Sequence, residues 1–270
     1  MPSVPAADIA RYVALIDELT AISMAAADAI RRAGAQGGVR IKADNSPVTA
    51  ADEAAEAVIR DRLARLDPVL PVISEERAER EPPAVGAASY FLVDPLDGTR
   101  EFIAGRAEYT INIGLVCAGV PVLGVIAAPA LGLIWRGIVG RGAERLEFAA
   151  QKTAPPQAIR TRPRPQHTLR VMASRSHLDA KTQAYLDTLP GAELVRCGSS
   201  VKFCRLAEGT ADLYPRLGPT RDWDIAAGHA ILAAAGGGVV APDGAALVYG
   251  TPQLRIPAFL AWGDRAVVPG

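Results

Sequence analysis

Tyr90-Phe91-Leu92-Val93-Asp94-Pro95-Leu96-Asp97-Gly98-Thr99-Arg100-Glu101-Phe102 passes from apolar to acidic within one residue. The run Tyr90 to Val93 predicts a buried strand. Asp94 is expected to end it, and Pro95 withdraws a backbone donor and stops the ladder. Asp97 follows three residues later. Gly98 permits a close backbone approach or an unusual dihedral, and Thr99 is placed to open a helix as its cap.

Two carboxylates at the end of one strand can point into one cleft, where they repel unless a cation or a shared proton lies between them. Hard divalent cations such as Mg²⁺ take oxygen ligands and often use one or two carboxylates plus substrate phosphate. The Gly98 and Thr99 amides at a helix start would seat that phosphate. Asp-Pro and Asp-Gly are also ordinary turn pairs, so the other acidic segments must decide between a site and a turn.

The chain has 270 residues, 29 Lys+Arg and 29 Asp+Glu, and no net charge. That length supports one large domain or two smaller ones. The charge balance argues against a protein that coats a nucleic-acid polymer. The three cysteines, Cys117, Cys197 and Cys204, form no CxxC pair; they read as core thiols of a reducing compartment, not a disulfide framework or a zinc site. Asp8 and Arg11 stand where a signal peptide needs an apolar core, and no apolar run reaches transmembrane length. A cytoplasmic enzyme is the simplest reading, with peripheral contact to the inner membrane left open. Oligomeric state is open between monomer and homodimer.

Upstream, residues 8–33 read as a helix, with Ile9, Tyr12, Val13, Ile16, Leu19 and Ile22 at helical spacing. Val39 to Lys42 is a short strand, and Asp44 to Pro47 a polar turn. A helix runs from Val48 to about Leu66; Thr49 and Asp52 have capping-box-like spacing, and Asp52 is also a candidate to orient a water. Val69 to Ile73 is a strand that delivers Ser74-Glu75-Glu76, again acids at a strand end. Downstream, 109–117, 120–128 and 131–139 read as strands separated by Gly119 and Pro129-Ala130. The first half is then two helices backed by a largely antiparallel sheet.

Ala149 to Gln166 holds four prolines and little apolar character, which marks a boundary between an α+β domain over residues 1–155 and an α/β domain over 156–270. The second half alternates: strand 169–173, helix 178–188, strand 193–196, helix 199–208, strand 211–214, and an Ala-rich helix from Ile225 to Ala235 closed by Gly236 to Gly238. Asp224 stands at the start of that helix, where the macrodipole favours a carboxylate and from which it can reach a shared metal site. Ala226, Ala227 and Gly228 behind it allow close packing. His229 and Trp223 read as packed side chains, and His167 as solvent-facing. No GxGxxG opens a helix, and no Walker loop is present.

Together, Ser74-Glu75-Glu76, Asp94-Pro95-Leu96-Asp97-Gly98-Thr99 and Trp223-Asp224-Ile225-Ala226-Ala227-Gly228 resemble the inositol monophosphatase superfamily, in order, spacing and context, over nearly the whole chain. The stretches Asp97 to Phe102, Cys197 to Cys204 and Ala207 to Arg216 are most similar to its bacterial 3'(2'),5'-bisphosphate nucleotidase branch, of the sulfur-assimilation type; that branch usually has Lys where this chain has Arg100. The resemblance implies an α+β fold, a layered αβαβα sandwich of the sugar phosphatase type. It implies a lithium-sensitive phosphomonoesterase with two to three Mg²⁺ ions that converts 3'-phosphoadenosine 5'-phosphate to AMP and phosphate. By position, Glu75, Asp94, Asp97, the Leu96 carbonyl and Asp224 would hold metal, and Asp52 with Thr99 would activate water. Ser199, Lys202, Arg216 and His177 would hold the nucleotide bisphosphate, with Gly98 at the phosphate seat beside Glu75, Leu96, Asp97, Thr99 and Asp224. An inositol monophosphatase or fructose-bisphosphatase on the same scaffold is the neighbouring alternative. A nucleotide-binding sensor without catalysis is the alternative of another class, disfavoured because a sensor has no need of the full acid set.

Overall fold

The computed structural model describes residues 6–34, 38–42, 47–67, 70–78, 88–149, 151–176 and 178–268. In chain order, α1 (Ala6–Ala33) is followed by the hairpin of β1 (Val39–Ile41) and β2 (Pro47–Thr49), then α2 (Ala50–Leu66), β3 (Val72–Ser74) and the single turn α3 (Glu75–Ala78). The central strand β4 (Ser89–Asp97) leads to α4 (Thr99–Ile103). Then come β5 (Thr110–Cys117), β6 (Val120–Ala128), β7 (Leu133–Ile138), β8 (Gly142–Ala149), β9 (Lys152–Thr153) and β10 (Gln157–Ile159). The remainder is β11 (Arg170–Ser174), α5 (Ala180–Asp187), β12 (Glu193–Cys197), α6 (Val201–Ala207), β13 (Leu213–Arg216), β14 (Thr220–Arg221), α7 (Asp222–Ala234), β15 (Gly238–Val240), β16 (Arg255–Ile256) and β17 (Phe259–Trp262).

The large sheet runs in the order β10-β8-β7-β6-β5-β4-β3, antiparallel except for β3 on β4, with β9 added to β8. The second sheet runs β12-β11-β13-β17-β15; its first three strands are parallel and β17 is antiparallel to both neighbours. Strand alternation explains why the large sheet is covered on both faces. Phe91 and Val93 of β4 join Leu19, Ile30, Ile59 and Leu63 under α1 and α2, whereas Tyr90 and Leu92 face a cluster holding Trp135, Phe203, Trp223 and Phe259. A smaller cluster of Val171, Leu213 and Leu260 takes Tyr185 and Leu186 of α5. The layers are therefore α1 and α2, the large sheet, α6 and α7, the second sheet, and α5, which is the expected α+β, αβαβα sandwich. Each fully buried Phe, Leu or Ile side chain in these layers stabilises by about 1.5–3 kcal/mol.

Several expectations change. Strand β4 does not end at Asp94: it continues through Pro95 to Asp97, which pairs with Thr110, and the proline is absorbed by a register shift between Asp94 and Asp97. A bulge tolerates the missing donor. Thr99 is not the cap of α4 but its first residue; Gly98, at φ 90°, holds the cap position. Strands β8 to β10 were not expected. β10 still pairs with β8, so the large sheet takes its last strand from within the proline-rich segment. The second half does not simply alternate, because β15, β16 and β17 return antiparallel. Of the expected polar turn over Asp44 to Pro47, residues 44–46 lie outside the described set, and Pro47 opens β2.

What sets α7 against the large sheet is a row of glycines. Gly114, Gly124 and Gly137 are register partners across β5, β6 and β7. A Cβ on Gly124 would lie 2.2 Å from the Ala227 carbonyl oxygen, and one on Gly114 would lie 2.9 Å from the Ala227 nitrogen. The helix backbone rests directly on the sheet, met from its own side by the small residues Ala226 and Ala227. Among the described residues no helix is long and apolar enough to cross a membrane.

Candidate active site

The end of β4, the start of α7, the turn from β3 into α3 and the turn before α6 open onto one cavity of about 1050 Å³. Its wall includes Glu75, Asp94, Leu96, Asp97, Gly98, Thr99, Ser199, Lys202, Arg216 and Asp224. All five expected metal-ligand residues therefore meet, four from the first half of the chain and Asp224 from the second. Ile41 of the exposed strand β1 also lines it.

Most of the acids have one oxygen engaged by neutral donors. Oδ2 of Asp224 accepts from the Arg221 amide at 3.1 Å and from the Thr220 hydroxyl. Oδ2 of Asp97 accepts from Ser200 Oγ at 2.9 Å, with Thr110 Oγ1 at 3.4 Å and Asn112 Nδ2 at 3.5 Å. Oδ1 of Asp94 accepts the Leu96 amide at 3.0 Å. Asp52 shows the same division. Its Oδ2 takes the Thr49 amide at 2.8 Å and the Thr49 hydroxyl at 2.6 Å, while Oδ1 takes Thr99 Oγ1 at 3.1 Å. The capping-box hydrogen bonds of Asp52 and its contact with Thr99 thus use different oxygens of one carboxylate.

The cluster is electrostatically costly. Burial, then the charges of Glu75, Asp97 and Asp224, push Asp94 well above the usual carboxylate range. Burial and the Asp224 charge raise Asp97 to about 6. Glu75 keeps 27% of its side-chain surface exposed, yet desolvation, with the charges of Glu76 and Asp224, lifts it to about 8 against the opposing pull of Lys42. Burial also raises Asp52, against the hydrogen bonds from Thr49 and Thr99. Carboxylates that favour the proton this strongly would be relieved by a positive ion. The donor set, carboxylate oxygens plus the Leu96 carbonyl, is that of a hard divalent cation. Among the described residues no three acids already converge on one point; the acids are spread around the cavity wall.

Three contributors were not legible in the sequence. Lys42 Nζ lies 2.8 Å from Glu75 and 2.6 Å from Glu76, a positive charge set into the acidic rim. Ser200 bridges Asp97 to the second half of the chain, and Asn112, in the middle of an apolar strand, stands behind it at 2.9 Å. A lone polar residue inside a strand was the available signal for Asn112.

On the substrate side, Lys202 is buried; its Nζ donates to the carbonyls of Ser199 at 2.5 Å and Cys197 at 3.3 Å and sits 5.1 Å from the Tyr214 ring centroid. Arg216 lines the cavity and donates to the Pro219 carbonyl at 3.2 Å. Ser199, at φ 44°, keeps a buried hydroxyl with no partner among the described residues. His177 lies outside the described residues. His229 is buried, bonded to the Tyr249 hydroxyl at 2.9 Å, and drops to about 4 through desolvation, in line with a packed role.

The family model "Inositol monophosphatase family" matches residues 12–265. The chain belongs to the inositol monophosphatase family. Family relatives include a protein of Escherichia coli O157:H7 named 3'(2'),5'-bisphosphate nucleotidase CysQ, 44% identical over 94% of this chain and 100% of the relative. Among solved structures, CysQ of Bacteroides thetaiotaomicron, a bacterial member of the inositol monophosphatase family, superposes with a TM-score of 0.77 at 33% identity, covering 93% of this chain and 98% of that one. An inositol monophosphatase from Zymomonas mobilis gives 0.76 at 28% identity, over 94% of each chain. The family's layered fold is the one observed here.

Proposed function

We propose that this chain is a metal-dependent phosphomonoesterase that hydrolyses 3'-phosphoadenosine 5'-phosphate to AMP and phosphate. The observation that carries the reading is the meeting, in one cavity, of acids from both halves of the chain with Ser199, Lys202 and Arg216. Glu75, Asp94, Asp97, Asp224 and the Leu96 carbonyl would hold two to three Mg²⁺ ions. When bound, Mg²⁺ supplies positive charge against the phosphoryl oxygens and lowers the pKa of water.

The chain's own residues do the rest. Thr99 Oγ1, held to Asp52 Oδ1, can accept a proton from the attacking water as its own proton passes to Asp52. Burial raises the proton affinity of Asp52, which suits a proton acceptor. Its other oxygen is locked by Thr49, so the free one stays aimed at Thr99. As water oxygen bonds to phosphorus, the bond to the 3'-oxygen breaks in line, and that oxygen leaves as a hydroxyl by taking a proton from solvent. Arg216 and Lys202 place positive charge for the second phosphate, and the unpartnered Ser199 hydroxyl offers a donor to the nucleotide. The 44% identity to a bisphosphate nucleotidase supports this substrate over a sugar phosphate.

The test is phosphate release with Mg²⁺ from 3'-phosphoadenosine 5'-phosphate and from inositol 1-phosphate, each with and without Li⁺. A strong preference for the nucleotide, suppressed by Li⁺, is expected. Preference for the inositol ester would keep the metal chemistry and overturn the substrate assignment.

A further inference from the structure

Ser200 occupies the N-cap position of α6, where a serine hydroxyl ordinarily accepts a backbone N–H from the first turn. Here it makes no capping bond. Its Oγ lies 2.9 Å from Asp97 Oδ2 and 2.8 Å from the Asp224 carbonyl oxygen, and it accepts the Asn112 amide at 2.9 Å. Ser200 is 2% exposed and Asn112 is fully buried, so water cannot stand in for these bonds. With the Asn112 donor taking up a lone pair, the one hydroxyl proton is directed at Asp97 or at the Asp224 carbonyl. The charged acceptor makes the stronger bond. Ser200 is also the shortest of the three donor contacts on Asp97 Oδ2.

We infer that Ser200 is a positioning residue for cation binding: its hydroxyl, carried at the start of α6, donates to Oδ2 of Asp97 and fixes that carboxylate at the cavity wall. Asp97 is thereby held to present its remaining oxygen to an ion in the cavity, where Asp224, fixed by Thr220 and the Arg221 amide, also opens. The inference rests on the metal-site reading above. Groups behind metal ligands that fix their orientation typically govern metal affinity by about 10- to 100-fold. Asn112 contributes by orienting the hydroxyl. Sequence alone did not mark Ser200, because the sequence reading places it inside a helix over residues 199–208.

The experiment is titration calorimetry of Mg²⁺ into chelator-treated protein, for the unaltered chain, Ser200→Ala and Ser200→Cys, alongside KM for the nucleotide at saturating Mg²⁺. Both variants are expected to bind Mg²⁺ about tenfold or more weakly, and the Mg²⁺ concentration for half-maximal activity should rise in parallel. KM for the nucleotide should move less than the Mg²⁺ requirement. Cys keeps a side chain of similar shape with only a weak donor, so it serves if Ala fails to fold. Mg²⁺ affinity equal to that of the unaltered chain in a folded variant would overturn the inference. A KM change with no change in Mg²⁺ binding would do the same. No Mg²⁺ binding by the unaltered chain would instead sink the metal-site reading beneath it.

Discussion

At the scale of single residues, the site is built by splitting each carboxylate between two duties. Asp52 and Asp224 use one oxygen to cap their own helices, and Asp97 uses one to receive Ser200. Capping fixes the side-chain rotamer without an added partner, so the second oxygen is delivered at low entropic cost. Arg216 is the residue whose role is most open to direct test. Its guanidinium donates to the Pro219 carbonyl at 3.2 Å and bonds Tyr214, and its remaining donors can serve a ligand. Arg216→Ala is expected to raise KM for the bisphosphate about tenfold or more, the scale of a lost hydrogen bond between charged groups. It should raise KM for 3'-AMP far less. Equal effects on the two substrates would make Arg216 a structural residue only.

At the scale of elements, the catalytic geometry depends on how closely α7 approaches the large sheet. Asp224 is three residues before Ala227, whose carbonyl oxygen would meet a Cβ at Gly124 at 2.2 Å. Neither backbone can yield without moving the other. Gly124→Ala is therefore expected to lower stability by about 1–3 kcal/mol through overpacking. It should also lower kcat, because α7 must lift and carry Asp224 with it. Chemical denaturation together with steady-state kinetics checks both. A variant with the original denaturation midpoint and kcat would mean that α7 does not depend on this contact.

At the scale of the whole molecule, the acid cluster makes the metal-free protein pH-sensitive. Glu75 is raised from 4.5 to about 8 and Asp97 from 3.8 to about 6. Between the ordinary and the raised values the folded chain holds more protons than the unfolded chain. The linkage sign is then negative, and stability falls as pH rises through that window. Melting curves in chelator should show Tm declining from about pH 4.5 to about pH 8, and Mg²⁺ should flatten the decline by stabilising the ionised acids. A Tm that climbs over the same range without metal would contradict this account of the cluster.

The acid set, its order along the chain and the strand that carries Asp94 and Asp97 were legible in the sequence because they depend on local signals. These were an apolar run broken by Asp-Pro, acids placed at strand ends, and an Ala-rich helix led by an acid. The family resemblance read from those segments agrees with the family match over residues 12–265. What the sequence did not determine is where local chemistry yields to packing. Pro95 did not stop β4, because β5 supplies a partner on the far side of a bulge. Ser200 does not cap its helix, because the Asp97 carboxylate from a distant segment takes its hydroxyl proton. The glycines at 114, 124 and 137 mean little singly and become a seat for α7 only when three strands bring them into register. Lys42 reaches Glu75 across 33 residues of chain. Each of these is a long-range contact, and only the tertiary structure decides whether such contacts outweigh the local preference.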